Sequence, residues 1–274
     1  MISKPKVTVI ISTYNQPKWL DLVIYSYTLQ TEKNFEIIIA DDGSTYETKL
    51  VINNYINTSS LIIYHIWQPD QGFQKTKILN RAIVASNSDY LLFTDGDCIA
   101  RKDFVETHLR LRKKNYVLSG GYFKLIKTLS EDMNKNHITQ QDCFNKNWLI
   151  SNGQPKSFKL NKFIKSKTVA SLLNRFTTTK ATFDGMNTSC YKMDLVAVNG
   201  FDERMRYGGE DREVGERMKN NGVRFIQIRY SAICVHLYHE RAYVNQAMFK
   251  ENKIIRLETK KGKRRWTAFG INKH

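Results

Sequence analysis

The chain has 274 residues, 41% of them hydrophobic and 25% charged, and 43 Lys and Arg against 26 Asp and Glu give it a formal charge of +17. That balance excludes a disordered or low-complexity protein and leaves enough apolar residues to bury one large core. The longest apolar runs, such as "VTVII" and "FEIIIA", are too short to cross a bilayer as helices.

The opening "MISKPKVTVI" lacks the extended apolar stretch and small-residue cleavage site of a signal peptide, so a cytoplasmic location is expected. Cys98, Cys143, Cys190 and Cys234 are widely spaced with no CxxC pair. They read as reduced thiols without a disulfide or metal role. The N-x-S/T matches at Asn57 and Asn187 then carry no glycosylation reading. The positive charge attracts polyanions: nucleic acid, anionic phospholipid or a phosphorylated substrate.

In chain order, "KVTVIIST" is a β-branched run, and Pro17 then opens the helix "KWLDLVIYSYTLQ". "FEIIIA" is a second buried strand closed by "DDGS"; "YETKLVINNYI" has helical spacing and "LIIYHIW" returns to strand. "KTKILNRAIVAS" is a third helix, "YLLFT" a fourth strand and "KDFVETHLRLRKK" a fourth helix. Short alternating units of this kind predict an α/β domain with a mostly parallel central sheet. Residues 126–180 read as an Asn-, Lys- and Ser-rich insertion. A Gly-rich loop, "RYGGEDREVGERM", opens a later helix, and a strand pair, "VRFIQIRY" and "AICVHLYH", follows. The tail, residues 241–274, reads as basic and helical. Its "KKGKRRWTAF" sets five Lys and Arg beside Trp266 and Phe269, a composition suited to an anionic membrane surface.

Loops at the carboxyl ends of parallel strands converge on one edge, where such sheets bind ligands. Three polar loops are expected there: "STYN" with Thr13 and Tyr14, "DDGS" with Asp41 and Asp42, and "DGD" with Asp95, Gly96 and Asp97. Two aspartates ending a buried strand repel each other unless something positive lies between them. A divalent cation with a diphosphate meets that need, Mg²⁺ and Mn²⁺ both accepting oxygen ligands. His236 and His239 follow the last strand, and one of them can complete the ligand set. In "GGED", Gly208 and Gly209 allow close approach to a ligand, while Glu210 and Asp211 can bind an acceptor hydroxyl or take its proton.

Together, "STYN", "DDGS" and "LNRAIVASNSDYLLFTDGD" resemble the family 2 glycosyltransferases of the GT-A fold, a Rossmann-like nucleotide-diphospho-sugar transferase domain. "FDGMNTSCYKMDLVAVNGFDERMRYGGEDREVGERM", closing on "VHLYH", is similar to the half shared by β-1,4-galactosyltransferases, polypeptide GalNAc-transferases and chondroitin-type synthases. The resemblance implies that Thr13, Tyr14, Asp41 and Asp42 hold the uracil and ribose of a UDP-sugar. It implies that Asp97 ligates Mn²⁺ or Mg²⁺, that Asp95 reaches ribose and metal, and that His236 rather than His239 is the metal histidine. His239 then sits beside the donor. Asn187 falls where the donor sugar is cradled, Asp211 matches the catalytic base, and Glu210, Gly209 and Tyr207 match the acceptor side.

Two positions depart from the family pattern. Leu79 stands where many relatives carry a nucleotide-contacting Arg, for which Gln74 or Lys75 would substitute, and Tyr207 replaces a Trp. The implied reaction is inverting transfer from a UDP-sugar to a glycan or lipid-linked oligosaccharide, in bacterial surface polysaccharide synthesis. Residues 1–125 would bind the nucleotide sugar, 126–180 would shape the acceptor side, and 181–240 would carry the catalytic acids. Two alternatives stay open: a haloacid dehalogenase-type phosphatase using the D-x-D, and a basic nucleic-acid-binding protein. The first expects its nucleophile on the first strand, not the fourth, and the second has no use for "DGD", "GGED" and "HLYH" on one edge; no nucleic-acid partner is expected.

Overall fold

A computed structural model describes residues 4–240 and 246–272 of the chain. Strands β1 (Thr8–Thr13), β2 (Glu36–Asp41), β3 (Ile62–Trp67) and β4 (Tyr90–Asp95) are mutually parallel, and α1 (Pro17–Thr28), α2 (Tyr46–Thr58) and α3 (Lys75–Ala85) connect them. Pro17 does occupy the first turn of α1, where its missing N–H costs nothing. Further along come β5 (Cys98–Ala100), α4 (Phe104–Leu111), β6 (Tyr116–Ser119) and β7 (Gly121–Lys124). Then follow α5 (Lys127–Asp132), α6 (Lys135–Thr139), α7 (Lys146–Ser151) and α8 (Lys167–Phe176). The last elements are β8 (Thr188–Tyr191), α9 (Lys192–Val196), α10 (Glu210–Asn220), β9 (Arg224–Gln227), β10 (Ile233–His236) and α11 (Gln246–Lys261).

Seven strands form the main sheet in the order β3-β2-β1-β4-β8-β6-β9, with β8 antiparallel to both its neighbours. A second sheet, β5-β10-β7, stands beside it. Alternate residues of β1 and β2 face opposite cores: Val9, Ile11, Ile37 and Ile39 meet α1, while Ile10, Ile38 and Ala40 meet α3 and α10. Leu79 of α3 packs in that second core.

One expectation changes. The strands read as a pair from "VRFIQIRY" and "AICVHLYH" lie in different sheets, because β9 pairs with β6 and β10 with β5 and β7. Residues 228–232 turn the chain from one sheet to the other, Ala232 donating to the Ile228 carbonyl and accepting from Gly121 N. Residues 126–180 are largely helical, and much of their Asn and Ser content is capping chemistry. The Asn134, Asn145 and Ser166 side chains each accept from backbone N–H groups in the first turn of α6, α7 and α8. Leu129, Met133, Ile138, Phe144, Leu149 and Leu160 from this region join the core beneath α1. It is therefore part of the domain as far as Leu160.

The tail is helical over α11, and residues 267–272 return along Asn199 through backbone and amide hydrogen bonds. A buried ion pair fixes α10 within this packing. Arg217 and Glu213, four apart and both 1% exposed, pair at 2.7 Å. Glu213 also accepts from Thr259 of α11, and Arg217 donates to the Val198 carbonyl just beyond α9. Substituting Arg217→Leu strands the Glu213 carboxylate in the core. The expected loss is ~3–5 kcal/mol in urea unfolding, with partial recovery when Glu213→Gln is added.

Candidate active site

Strands β1, β2 and β4 are parallel and in register, so their carboxyl ends bring the "STYN", "DDGS" and "DGD" loops to one edge. There a cleft of about 630 Å³ opens, lined by these loops together with Tyr122, Lys124, Asp184, Tyr207, residues 208–212, His236 and His239. That volume lies in the range of small-molecule sites. The turn in "DDGS" depends on Gly43. Its φ is +95°, and a Cβ there would fall 2.6 Å from the backbone of Asp70.

The aspartates that end β4 have separate counter-ions. Asp95 Oδ1 accepts from the Lys75 ammonium at 2.6 Å and from Ser12 Oγ at 2.6 Å. Burial opposes the charged form of Lys75, but Asp95 and then Glu210 outweigh it and hold the ammonium on. Asp97 faces two imidazoles instead: His239 Nε2 lies 3.0 Å and His236 Nε2 3.6 Å from its Oδ2. Burial would raise the Asp97 carboxyl; the histidines, His236 first, reverse this and bring it down to about 2. Backbone pairing enforces the geometry. His236 sits opposite Cys98 in the β10–β5 ladder, and Leu237 N donates to the Asp97 carbonyl.

Among the described residues, Asp97, His236 and His239 form one group whose ligand atoms all lie within 4.8 Å of one another. One carboxylate oxygen and two imidazole nitrogens converging at this spacing fit a divalent transition metal. Mg²⁺, which favours oxygen, suits the set less well than Mn²⁺. The group thus contains both histidines, while Asp95 lies outside it.

Three other expectations move. Asp41 points away from the cleft, as its alternation with Asp42 on an extended chain requires. It is 1% exposed, accepts from Ser44 N and pairs with His65 Nε2 at 2.9 Å. Asp42 does line the cleft, accepting from Gln68 Nε2 and Gln74 N, and burial raises its carboxyl. Gln74 therefore serves through its backbone, while the Lys75 side chain enters the cleft. Asn187 is fully buried. Its amide donates to the carbonyls of Gly121 and Ala232, and its Oδ1 faces His108 Nε2 at 2.9 Å. It fastens the two sheets together, and its neighbours Gly185 and Met186 reach the cleft instead.

The remaining candidate residues line the cleft. The Thr13 hydroxyl is buried against Gly96 with no hydrogen-bond partner, an orphan donor at the cleft floor. Tyr14 donates to Asp70 at 2.8 Å and leaves its ring 41% exposed. Gly208 and Gly209 adopt φ of +107° and +92°, Phe249 and Arg256 filling the space where a Cβ would be. Tyr207 meets Phe73 and Phe249 edge-on at 5.6 and 5.7 Å.

Asp211 accepts from Gly185 N and Arg212 N at the start of α10, while Glu210 accepts from Gly208 N. Burial, and then the charge of Asp211, raise the Glu210 carboxyl to about 7. Asp184, which the sequence reading passed over in favour of Asn187, also lines this wall. Burial and Asp211 raise it to about 6, and Arg212 lies 3.8 Å away. The available signal was an acid followed by glycine just before a strand, in "FDGMN".

A carboxyl raised by folding stabilises the protein below its unfolded value and loses that contribution as pH climbs through the folded one. Glu210 thus costs stability above about pH 7. Glu210→Gln is expected to raise the thermal midpoint by roughly 2–6 °C near pH 8 and to leave it unchanged near pH 4, as read by calorimetry.

The chain matches the model of "Glycosyl transferase family 2" over residues 8–181 and that of the "N-terminal domain of galactosyltransferase" over residues 168–240. Chondroitin synthase of Pasteurella multocida is 27% identical over 234 residues, 80% of this chain, which spans 23% of that synthase. Among solved structures, S. aureus TarS in complex with UDP-GlcNAc superposes with a TM-score of 0.63 at 18% identity, covering 94% of this chain and 69% of that one. GalNAc-T7 with UDP, GalNAc and Mn²⁺ gives 0.64 at 12% identity, covering 93% and 48%. The phosphatase and nucleic-acid-binding alternatives give way to these matches. With a GT-A fold and the family model matched across most of its length, the chain belongs to glycosyl transferase family 2.

Proposed function

We propose that this glycosyltransferase is metal-dependent and inverting, and moves a hexose, N-acetylhexosamine or hexuronic acid from a UDP-sugar to a hydroxyl of a glycan or lipid-linked oligosaccharide. The observation that carries the reading is one cleft holding both the Asp97–His236–His239 group and the carboxylates that open α10. The neighbours bound to UDP-GlcNAc, and to UDP, GalNAc and Mn²⁺, support the choice of nucleotide and metal. A bacterial surface polysaccharide, such as capsule, O-antigen or lipooligosaccharide, is the proposed product class, supported by likeness to chondroitin synthase. A cytoplasmic site of action at the inner membrane face suits the net charge, since a lipid-linked acceptor is itself anionic.

In this reading the exposed ring of Tyr14 and the orphan hydroxyl of Thr13 receive the base, and Asp42 accepts from base or ribose. Lys75 holds Asp95 in place for the ribose. A divalent cation on Asp97, His236 and His239 would supply charge neutralisation for the leaving diphosphate. Asp211 takes the proton of the acceptor hydroxyl as its oxygen bonds to the anomeric carbon and the bond to the diphosphate breaks. Hydrogen bonds from the backbone N–H groups of Gly185 and Arg212 keep its carboxylate aimed. Glu210, with Gly209 and Tyr207, positions the acceptor, and Asp184 reads a sugar hydroxyl.

Slow UDP release from a panel of UDP-sugars without acceptor tests the class and identifies the donor; no turnover and no calorimetric UDP binding with Mn²⁺ would overturn it. With acceptor present, Asp211→Asn is expected to lower kcat by ~10²–10⁴-fold with donor binding unchanged. For the metal, His239→Ala and His236→Ala should each abolish tight Mn²⁺ binding in titrations read by electron paramagnetic resonance. Asp95→Asn should retain it. Retention in His239→Ala would return the site to a single histidine.

A further inference from the structure

Helix α8 is turned inside out for a helix on a soluble surface. Its apolar residues Val169, Leu172 and Phe176 recur at helical spacing and form one stripe. That stripe faces outward: Val169 is 46%, Leu172 56% and Phe176 71% exposed. Leu173 is half-buried on the opposite, inward face with Ala170 and Asn174. Ala170 is the one buried residue of the helix. Asn174 donates to Ser231 Oγ at 2.8 Å and accepts from Tyr230 N at 2.9 Å. Single exposed apolar residues need no explanation, but an aligned stripe on an amphipathic helix marks something that covers it.

Charge indicates what the cover is. Between residues 143 and 183 the sequence holds eight Lys and Arg and no Asp or Glu. Lys165, Lys167, Arg175 and Lys180 flank the stripe or lie just beyond it, all exposed. Among the described residues, Lys167 alone of these has an acidic neighbour, Glu106 at 3.6 Å. An apolar helix face bordered by unbalanced cations is the pattern of a helix lying in the interface of an anionic bilayer. The tail compares poorly. Lys260 pairs with Glu216 and Arg264 with Glu258, and Phe269 is covered on one face by the Arg204 guanidinium at 4.0 Å.

We infer that the outward face of α8, with its basic border, docks the protein on an anionic phospholipid surface, a role the sequence reading gave to the tail. The location suits the cleft. Beside α8, the Lys162 ammonium donates to the Tyr122 carbonyl at 2.7 Å, and Tyr122 lines the cleft wall. The turn at Tyr230 and Ser231 that grips α8 leads directly into β10 and His236. Docking therefore sets the acceptor side of the cleft near the headgroups. The inference needs no nucleotide chemistry and stands or falls apart from the proposed reaction.

Flotation of the full chain with vesicles of phosphatidylcholine, with and without phosphatidylglycerol, tests it. The protein is expected to float with the anionic vesicles only and to be released by high salt. Leu172→Ser with Phe176→Ser should lower the bound fraction at least about tenfold, while Lys261→Ser with Lys263→Ser in the tail should not. The four native cysteines are buried, so an environment-sensitive dye on Leu172→Cys reports the same face without removing it. Its emission should shift to the blue with anionic vesicles. No flotation, flotation unaffected by the α8 double variant, equal binding to neutral vesicles, or an unshifted dye would each overturn the inference.

Discussion

Like-charge repulsion is the constraint on which this site depends. Asp42, Asp95, Asp97, Asp184, Glu210 and Asp211 all line one cleft, and in a poorly solvated space such a cluster must take up protons or be matched by counter-charges. The structure answers with counter-charges assigned residue by residue. Lys75 takes Asp95 and reaches toward Glu210, two imidazoles take Asp97, and Arg212 stands beside Asp184. Burial, and then the charge of Asp211, still raises the carboxyls of Glu210 and Asp184. Under the proposed reaction, a cation-bearing diphosphate would relieve part of this like-charge crowding.

This division also explains why the two aspartates of "DGD" differ. They are two apart on a strand end, and intervening Gly96 lies against Thr13. Asp95 still belongs to β4 and faces the helix-bearing side, within reach of α3. Asp97 lies past the turn, where β5 begins and β10 runs alongside. The small sheet thereby fixes His236 beside Asp97 through main-chain pairing. Asn187 and His108 brace that arrangement from beneath. Burial holds His108 down to about 4, so it stays neutral, bonded to Ser189 on one nitrogen and Asn187 on the other.

Much of this was legible in the sequence because it is local. The alternation of β-branched runs with helical spacing yields the parallel half, and parallel strands place their following loops on one edge. The motif acids, Tyr14, Lys75 and both histidines could be named for that reason. What the sequence could not carry is orientation decided by distant partners. Asp41 and Asp42 are adjacent and chemically identical, and only His65 on β3 shows which one faces inward. Asn187 reads as a donor-sugar residue because "GMNTS" resembles the family's segment at that place. Its amide is consumed by Gly121 and Ala232, residues far away in the chain. The strand pairing of β9 and β10 failed for the same reason, since proximity in sequence does not choose a sheet.

The basic segment shows the same limit and its resolution. Composition alone finds an excess of cations and distributes it by eye toward the densest run, which is the tail. Three-dimensional pairing redistributes it: acids on α10 and α11 neutralise part of the tail, whereas residues 143–183 contain none to do so. That segment supplies about half of the net charge, and it also presents the outward stripe of α8. A soluble helix with no outer partner gains nothing by exposing Leu172 and Phe176 while turning Asn174 inward. The coincidence of unpaired cations and inverted amphipathicity is economical only if both face one anionic, apolar surface, and a lipid-linked acceptor would lie in such a surface.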